Sequence, residues 1–372
     1  MKICLVSQNI IKGDGQGRVN YELTKFAVNA GHELTLISSN IAPDLEQDSR
    51  ITWIKIKRLN MPTQLIRGSV FASQSASWLK KHRSQFDLVQ VNGTNTNAIG
   101  DVNTVHFVHS SWLRSPFHPW KLSRTPKNLY QLIYSYINSK REQSSFQRSP
   151  NIVAVSEKVK QDLLAINISP EKITVLLNGV DLHEFAPGEG DRTALGIPES
   201  VPIALFVGEL RTARKNLDTV LKALAQVPEL HLVVVGSIKE SLYPKQTSEL
   251  GLESRVHFLG YRRDISDIMH ACDFFVFPSR YEACTLVLLE ALASGLPVIT
   301  ATSTGGAEII DDSCGVILED SESVSMLALA LKDMSINVTN TRLMGSCARK
   351  VAESYSWEKM SSKYFEIFNS YG

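Results

Sequence analysis

Two strand–loop–helix units, which follow each other in the last third of the chain, constrain its fold most. An apolar strand over Phe274 to Phe277 leads into a short loop with Glu282, and the run Leu286 to Ala293 then has apolar residues at helical spacing. A second strand over Pro297 to Thr300 leads to the pair Gly305-Gly306. Successive units of this kind predict a parallel α/β sheet, in which both loops lie at the carboxyl ends of the strands, where such sheets bind ligands.

The chemistry of these loops suits a phosphate and a sugar. The start of a helix attracts anions, and the small residues before Leu286 let a ligand approach the backbone closely. The carboxylate of Glu282 suits hydroxyl groups, and Glu290 lies on an apolar helix, where a buried carboxylate needs a partner. The alternative is that Glu282 is a solvated loop residue and that Glu290 pairs with a nearby Lys or Arg.

Composition places the chain among globular proteins large enough for two domains, with 372 residues, 43% hydrophobic and 21% charged. Its five cysteines are scattered without CxxC or Cys/His clusters, which predicts a reducing compartment without disulfides or structural zinc. The opening MKICLVS is too short for a signal peptide, and no apolar run approaches 18 residues. We therefore expect a cytoplasmic protein.

The charges are divided unevenly along the chain. Residues 1–185 hold 22 Lys and Arg against 14 Asp and Glu, whereas the remainder holds 17 against 24. Two segments of the first half lack acidic residues, between Asp48 and Asp87 and between Asp101 and Glu142. Their basic residues are Arg50, Lys55, Lys57, Arg58, Arg67, Lys80, Lys81 and Arg83, then Arg114, Lys121, Arg124, Lys127, Lys140 and Arg141. Interleaved aromatic residues favour contact with an anionic membrane at its inner face; the alternative is a soluble, acidic or phosphorylated acceptor. No base-reading motif indicates nucleic acid.

The first half also contains two candidate functional positions. A glycine-rich loop follows the strand Met1 to Ser7 and leads into a helix that we expect to begin near Arg18; alone, such a loop indicates only a turn. His109 follows the predicted strand Asn103 to Val108, while alternation places His106 on the opposite face. A lone histidine at the end of a strand can equally be structural.

The second half begins with a predicted linker over Ala186 to Ser200, followed by a strand over Ile203 to Val207. The next loop, GELRTARKNLD, places Lys215 near the start of a helix, with Arg214 directly before it. Cations in a strand-to-helix loop suit a diphosphate, although a solvated loop would have the same sequence.

The string EACTLVLLEALASGLPVI, followed by GGAEII, resembles the E-x7-E signature of glycosyltransferase family 4, and AGHELTLI, IVAVSEKVKQDLL and ITVLLNGVDLHEF are similar to other landmarks of that family. The resemblance implies a retaining enzyme of the GT-B fold, with two Rossmann-like, doubly wound domains facing across a cleft. It implies an acceptor-side domain over 1–185, a donor domain over 186–355, and a terminal helix over 356–372 that crosses back to the first domain.

The resemblance also implies roles for individual residues. Glu282, Lys215 and His109 are the implied catalytic residues, with Glu282 and His109 beside the transferred sugar. The implied donor-binding residues hold the ribose, the diphosphate and the base, and are Gly15, Gly17, Arg18, Gly208, Arg214, Lys215, Leu259, Thr285, Leu286, Val287 and Glu290.

The chain departs from the family pattern at three places. Glu209 stands where the family usually has Arg, so that Arg211 or Arg214 would replace the charge. Asn216 stands where Gly usually follows the lysine, and Cys284-Thr285 stands where a pair such as Phe-Gly is common.

The implied reaction is transfer of a hexose, with retention, from a nucleotide diphosphate sugar to an anionic or lipid-linked acceptor such as a polysaccharide or lipopolysaccharide precursor. We expect a UDP-sugar in preference to a GDP-sugar. We also expect no cofactor and no essential metal, since no DxD-like motif stands in a suitable place. The alternatives are a sugar-nucleotide epimerase of the same fold and a non-catalytic binding protein, the latter suggested by Glu209.

Overall fold

The computed structural model describes residues 1–57 and 60–371; Arg58 of the first basic segment lies outside them. The chain forms two compact units, the first over 1–179 and 357–372 and the second over 180–356. The boundary lies a few residues before the predicted one because Val180 and Phe185 are buried in the core of the second unit.

The first unit is built on a parallel sheet in the order β5-β3-β1-β6-β7-β8-β9, with a separate short pair β2-β4. Its strands are β1 (Lys2–Val6), β2 (Asn9–Ile10), β3 (Glu33–Ser38), β4 (Asn40–Ile41), β5 (Ile51–Lys55), β6 (Leu88–Asn92), β7 (Val102–Val105), β8 (Asn151–Ala154) and β9 (Ile173–Val175). Its helices before the boundary are α1 (Gly15–Asn29), α2 (Pro43–Glu46), α3 (Gln64–His82), α4 (His109–Arg114), α5 (Pro119–Leu122), α6 (Pro126–Arg148) and α7 (Glu157–Leu164).

The second unit has a parallel sheet in the order β12-β11-β10-β13-β14-β15. Its strands are β10 (Ile203–Val207), β11 (His231–Val235), β12 (Val256–Gly260), β13 (Phe274–Phe277), β14 (Val298–Ala301) and β15 (Gly315–Leu318). Its helices are α8 (Leu217–Leu224), α9 (Tyr243–Glu249), α10 (Ile265–His270), α11 (Leu286–Ala293), α12 (Val324–Ile336) and α13 (Val338–Ala352). The expected α/β class with parallel sheets is therefore confirmed.

Each sheet reverses its strand order once, between β1 and β6 in the first unit and between β10 and β13 in the second. Loops on either side of such a reversal separate and leave a crevice at the carboxyl ends of the strands. The central strands are almost fully buried, as their continuous apolar runs predict. The topology thus marks one crevice in each unit.

The last helix, α14 (Trp357–Phe368), belongs to the first unit. Its buried face carries Tyr364, Phe365 and Phe368, which pack into the core formed by α1 and the first strands. The helix begins one residue later and ends four residues earlier than the implied range 356–372.

The predicted linker Ala186 to Ser200 is attached to the second unit. Arg192 donates to the carbonyl of Ala271 at 2.9 Å and to Asp273 at 3.1 Å, while Ile197 is buried in the core. No helix in the described part of the chain is both long enough and apolar enough to cross a bilayer.

Candidate active site

The crevice of the second unit contains a three-residue ion cluster. Arg214 Nη1 lies 3.0 Å from Glu282 Oε2, and Lys215 Nζ contacts the same oxygen. The exposed fractions of these side chains are 24% for Arg214, 12% for Lys215 and 14% for Glu282. The structure therefore joins the carboxylate predicted to face the sugar with the cations predicted to face the diphosphate, and Glu282 is not a solvated loop residue.

The electrostatics of this cluster favour an anionic ligand. Burial alone would raise the pKa of Glu282, but the charges of Lys215 and Arg214 outweigh it and hold that pKa below its usual value. Burial lowers the pKa of Lys215, and the adjacent Glu282 only partly opposes this effect. With Glu282 ionised and both cations protonated, the cluster carries one excess positive charge.

Sequence reasoning missed Arg280, which holds the cluster in place. Its guanidinium, only 5% exposed, forms paired hydrogen bonds of 2.7–2.8 Å to both oxygens of Asp218 and of 2.7 Å to both oxygens of Glu322. It also donates to the carbonyl of Ala213 at 2.7 Å. Burial alone would lower the pKa of Arg280, but the two carboxylates raise it above its usual value. The side chain thus fastens the loop after β10 to the loop after β13.

The backbone conformation at Asn216 explains this departure from the family pattern. Its φ of 65° lies in the left-handed region, which Asn tolerates better than most residues other than Gly. Its side-chain amide donates to the carbonyls of Pro278 at 2.9 Å and Ser321 at 2.7 Å. Asparagine therefore supplies the required turn and also crosslinks the loops.

Glu209, another departure from the family pattern, accepts hydrogen bonds from residues of its own loop. One carboxylate oxygen accepts from the backbone N–H of Arg211 at 2.5 Å and from its Nε at 3.1 Å, and the other accepts from Thr212 Oγ1 at 2.8 Å. The negative charge is thus compensated within the loop. Arg214 supplies a cation beside Lys215, whereas Arg211 faces Glu209.

The loop that carries Glu282 and the loop that carries Gly305 and Gly306 lie side by side, as predicted. The N–H of Gly305 donates to the carbonyl of Glu282 at 2.9 Å, and a Cβ on Gly305 would lie 1.8 Å from the carbonyl oxygen of Ala283. Only glycine permits this approach. The N–H of Thr285, one of the implied donor-binding residues, makes a long hydrogen bond of 3.4 Å to the carbonyl of Gly305 and is thus already engaged.

The remaining predicted residues of this stretch lie on α11. Leu286 and Val287 form its first turn, whose N–H groups have no partner within the helix. Glu290 lies half-buried on the same helix. Their positions at the carboxyl end of β13 agree with the sequence prediction.

A cavity of about 650 Å³ lies beside the loop after β10. Gly208, Glu209, Tyr261 and Arg262 are among its lining residues, and the ring of Tyr261 is 69% exposed. Leu259, one of the implied donor-binding residues, is not among the residues that line it, and its side chain packs against the core.

The first unit has its own cavity, of about 320 Å³, lined by the loops after β1 and β6 and by α6. His109 lies in it, with its ring Nδ1 in contact with Glu142. The second oxygen of Glu142 accepts from the backbone N–H of His109 at 2.7 Å. This pairing fixes the orientation of the imidazole, and sequence reasoning missed it, although Glu142 is the first acidic residue after Asp101.

His106 lines the same cavity, which corrects the prediction that alternation separates it from His109. The strand β7 ends at Val105, so alternation does not extend to either histidine.

Burial lowers the pKa of His106 to about 4. Its Nε2 and the Oδ1 atom of Asn92 are buried without a hydrogen-bond partner in the described residues. Such atoms need a partner, and a ligand hydroxyl could supply it.

The glycine loop is only partly as predicted. The helix α1 begins at Gly15 rather than near Arg18, and its neighbours Asp14 and Gln16 line the cavity. A Cβ on Gly17 would lie 3.0 Å from the carbonyl oxygen of Ile11, and this close approach explains why glycine occupies the position. Arg18 does not line the cavity, because it pairs with Glu22 at 2.6 Å and lies over the ring of Trp357.

Among residues 1–57 and 60–371, no three His, Cys, Asp or Glu side chains come together as a group able to hold a metal ion.

Two parallel sheets, each with a strand-order reversal and polar loops at the carboxyl ends, define a protein of the GT-B class with two Rossmann-like domains. The model of the family described as Glycosyltransferase Family 4 matches residues 13–184, and that described as Glycosyl transferases group 1 matches residues 189–350. The chain therefore belongs to glycosyltransferase family 4 (group 1).

Two relatives and one solved structure illustrate the similarity. The chain is 32% identical over 219 residues to the D-inositol 3-phosphate glycosyltransferase of Mycobacterium marinum, covering 56% of this chain and 47% of that enzyme. The match thus spans about half the length of that relative. The chain is 23% identical over 372 residues to the UDP-Gal:alpha-D-GlcNAc-diphosphoundecaprenol alpha-1,3-galactosyltransferase of Escherichia coli, covering 95% and 93%. Anabaena HepE, solved with UDP and glucose, shares the fold with a TM-score of 0.72 and 20% identity, covering 100% of both chains.

Replacing Arg280 with Met should lower the free energy of unfolding by about 3–5 kcal/mol, because Asp218 and Glu322 lose their shared buried cation. Urea denaturation measures the change. Arg211→Met is the matched control, since its pair with Glu209 is 58% exposed on the arginine side, and we expect a loss below about 1 kcal/mol. Equal losses in the two variants would contradict the role given to Arg280.

Proposed function

We propose that this protein is a retaining glycosyltransferase that moves a hexose from a nucleotide diphosphate sugar to an acceptor. The observation that carries the proposal is the cluster of Arg214, Lys215 and Glu282 at the strand-order reversal of the second unit. Membership of glycosyltransferase family 4 supports it.

In the proposed reaction the cluster binds both the diphosphate and the sugar of the donor. Lys215 and Arg214 balance the charge that develops on the departing diphosphate, together with the first N–H groups of α11. Glu282 accepts hydrogen bonds from sugar hydroxyls. A donor phosphate oxygen takes the acceptor proton on the same face from which the diphosphate departs, which gives retention. The charge is supplied by the chain, and we therefore expect activity to persist in EDTA.

We infer that the donor is a UDP-sugar rather than a GDP-sugar. The E. coli relative is named for UDP-Gal, and HepE was solved with UDP and glucose. The cavity lined by Gly208 and Tyr261 is the candidate site for the base, since Val207, Leu210 and Ile265 supply apolar surface there and Tyr261 is exposed.

Replacing Lys215 with Ala should lower turnover of the productive UDP-sugar by about a hundredfold, since it removes a charged donor to the leaving group. Glu209→Ala should change it only a few-fold, because Glu209 contacts its own loop. Release of UDP from UDP-glucose and UDP-galactose, with products identified by mass spectrometry and NMR, measures both.

The same assay separates the rival functions. A transferase hydrolyses its donor slowly without acceptor, an epimerase yields a new sugar together with free UDP, and a binding protein yields neither. Loss of activity in Glu209→Ala with little change in Lys215→Ala would contradict the assignment of this loop.

For the acceptor, we propose that its reacting hydroxyl enters the cavity of His109. The Nε2 atom of His106 and the Oδ1 atom of Asn92 are buried there without partners, which suits a ligand with several hydroxyls. The low pKa of His106 keeps it neutral at pH 7, so it contributes a hydrogen bond rather than a charge.

Replacing Glu142 with Gln should lower transfer by about a hundredfold while leaving the Kd of UDP unchanged, because the imidazole of His109 loses its fixed orientation. Acceptor transfer rates and UDP calorimetry measure the two effects. Glu157→Gln, an exposed carboxylate on α7, is the control. A weakened Kd for UDP together with normal transfer would contradict the assignment.

We further propose that the first unit binds the inner face of an anionic membrane. The exposed positions Leu129, Ile133 and Tyr136 form one stripe along α6, with exposed fractions of 42%, 46% and 55%. Leu122 on α5 and Ile66 on α3 are exposed as well; α5 packs against α6, and the backbone N–H of Leu65 on α3 donates to the hydroxyl of Tyr130 on α6 at 3.3 Å. We call these five residues the α6 patch.

The charge around the α6 patch complements an anionic surface. The exposed cations Lys121, Arg124 and Lys127 lie beside it in sequence, and no acidic residue stands between Asp101 and Glu142. Each such cation contributes about 1 kcal/mol near an anionic bilayer. A lipid-linked acceptor, like that in the name of the E. coli relative, would be reached from this position.

The variant Ile133→Gln with Tyr136→Gln should bind vesicles containing phosphatidylglycerol about tenfold more weakly than the wild type, because it removes apolar surface from the α6 patch. Co-sedimentation at low and high salt measures binding. Leu329→Gln, on α12 of the second unit and 61% exposed, is the matched control. No binding of the wild type to anionic vesicles at low salt would leave a water-soluble acceptor instead.

A further inference from the structure

A basic groove of about 400 Å³ lies next to the His109 cavity in the first unit. One wall is the second half of α6, with Lys140, Arg141, Ser144 and Arg148, and the other is the loop after β6 around Thr96. The groove is thus formed by a helix and a loop of one unit.

The cations of this groove are not neutralised by carboxylates. No acidic residue lines it, and no carboxylate in the described part of the chain lies within ion-pair distance of Lys140, Arg141 or Arg148. Arg141 Nη2 donates to a serine hydroxyl, and Arg148 Nε donates to the carbonyl of Ser144. Glu142, their nearest acidic neighbour in sequence, is engaged with His109.

The groove and the cavity of His109 share two lining residues, Thr94 and Arg141. A single ligand can therefore place a hydroxyl beside His109 and an anionic group between Arg141 and Arg148. The hydroxyls of Thr96 and Ser144 stand in the same groove and can donate to the oxygens of that group.

We propose that this groove is a phosphate subsite, and that the acceptor is a sugar bearing a phosphate or diphosphate close to the hydroxyl that receives the hexose. The proposal rests on the proposed transferase function and deepens it. Guanidinium groups bind phosphate through paired hydrogen bonds, and the neighbouring hydroxyls extend that set. The sugar itself occupies the His109 cavity, where neutral partners prevail.

A second cavity, of about 280 Å³, offers a competing position for the anion. It contains Lys57 and Arg67 and borders the His109 cavity through Gln8, Asn9 and Gln64. It supplies two cations rather than three, and no serine or threonine apart from Ser39. The groove on α6 is therefore the better phosphate site, and Arg67 provides the discriminating variant.

The test is calorimetric titration with inorganic pyrophosphate in the presence of saturating UDP, which occupies the Lys215 cluster. The double variant Lys140→Gln with Arg148→Gln should bind pyrophosphate about tenfold more weakly than the wild type. Lys80→Gln with Lys81→Gln removes the same charge from exposed positions on α3 and should change Kd less than twofold. Arg67→Gln should also behave as the wild type.

Wild-type affinity in the Lys140/Arg148 variant, or a loss found in Arg67→Gln instead, overturns the proposal. Equal losses in the Lys80/Lys81 control overturn it as well, because the effect would then be general electrostatics. The UDP titration alone reports on the donor site, so a chain that fails to bind UDP refutes the transferase proposal separately from the groove.

Two further titrations distinguish the sources of the phosphate. Glucose 1-phosphate tests a water-soluble acceptor, and polyprenyl phosphate in phosphatidylcholine vesicles tests a lipid-linked one. Whichever probe binds, the Lys140/Arg148 variant should weaken it about tenfold. If neither probe is sensitive to the variant, the groove is not the phosphate subsite.

Discussion

The buried guanidinium of Arg280 is the contact on which the geometry of the second unit depends. Its five N–H bonds are all used, by Asp218, Glu322 and the carbonyl of Ala213. These partners and Arg280 itself belong to three segments, which are the loop after β10 with the start of α8, the loop after β13 and the loop after β15. A charge at such depth is stable only when it is fully paired, so the three segments must come together around it. Because Arg214 and Lys215 immediately follow Ala213, this packing also determines where the two cations meet Glu282.

This arrangement places one carboxylate between the two cations of the cluster. In the unliganded cluster Glu282 compensates one of its two cations, and a single positive charge remains. A diphosphate would compete with Glu282 for Lys215 and Arg214, and the carboxylate would then turn to the hydroxyls of the sugar. In the proposed reaction, binding of the diphosphate and positioning of the sugar would thus use the same three side chains.

Local patterns predicted the elements well, and failed where a partner is distant in sequence. The helix Leu286–Ala293 has the predicted bounds because its apolar spacing is a local signal. The contacts of Arg280 with Asp218 and of His109 with Glu142 join residues that are 62 and 33 positions apart, and no local pattern reports them. His106 was misplaced because β7 ends three residues earlier than predicted, at Val105. The pair of Arg18 and Glu22, one helical turn apart, follows from helical spacing, and the donor-binding role implied for Arg18 stays a prediction.

The basic residues at the ion cluster of the second unit and those at the groove on α6 of the first unit are paired differently, and this difference is the reason for proposing different ligands for the two places. In the second unit Arg214, Lys215 and Arg280 are all paired with carboxylates of their own unit, so they orient loops as well as attract anions. In the first unit the basic wall of α6 has hydroxyls and carbonyls beside it, and the one buried carboxylate nearby serves His109. Neighbouring cations without carboxylate partners repel one another. A bound anion relieves this repulsion and so stabilises the surface that carries them. Net charge along a sequence cannot distinguish a paired arginine from an unpaired one, because it counts both alike. The distance to the nearest carboxylate in the structure does distinguish them.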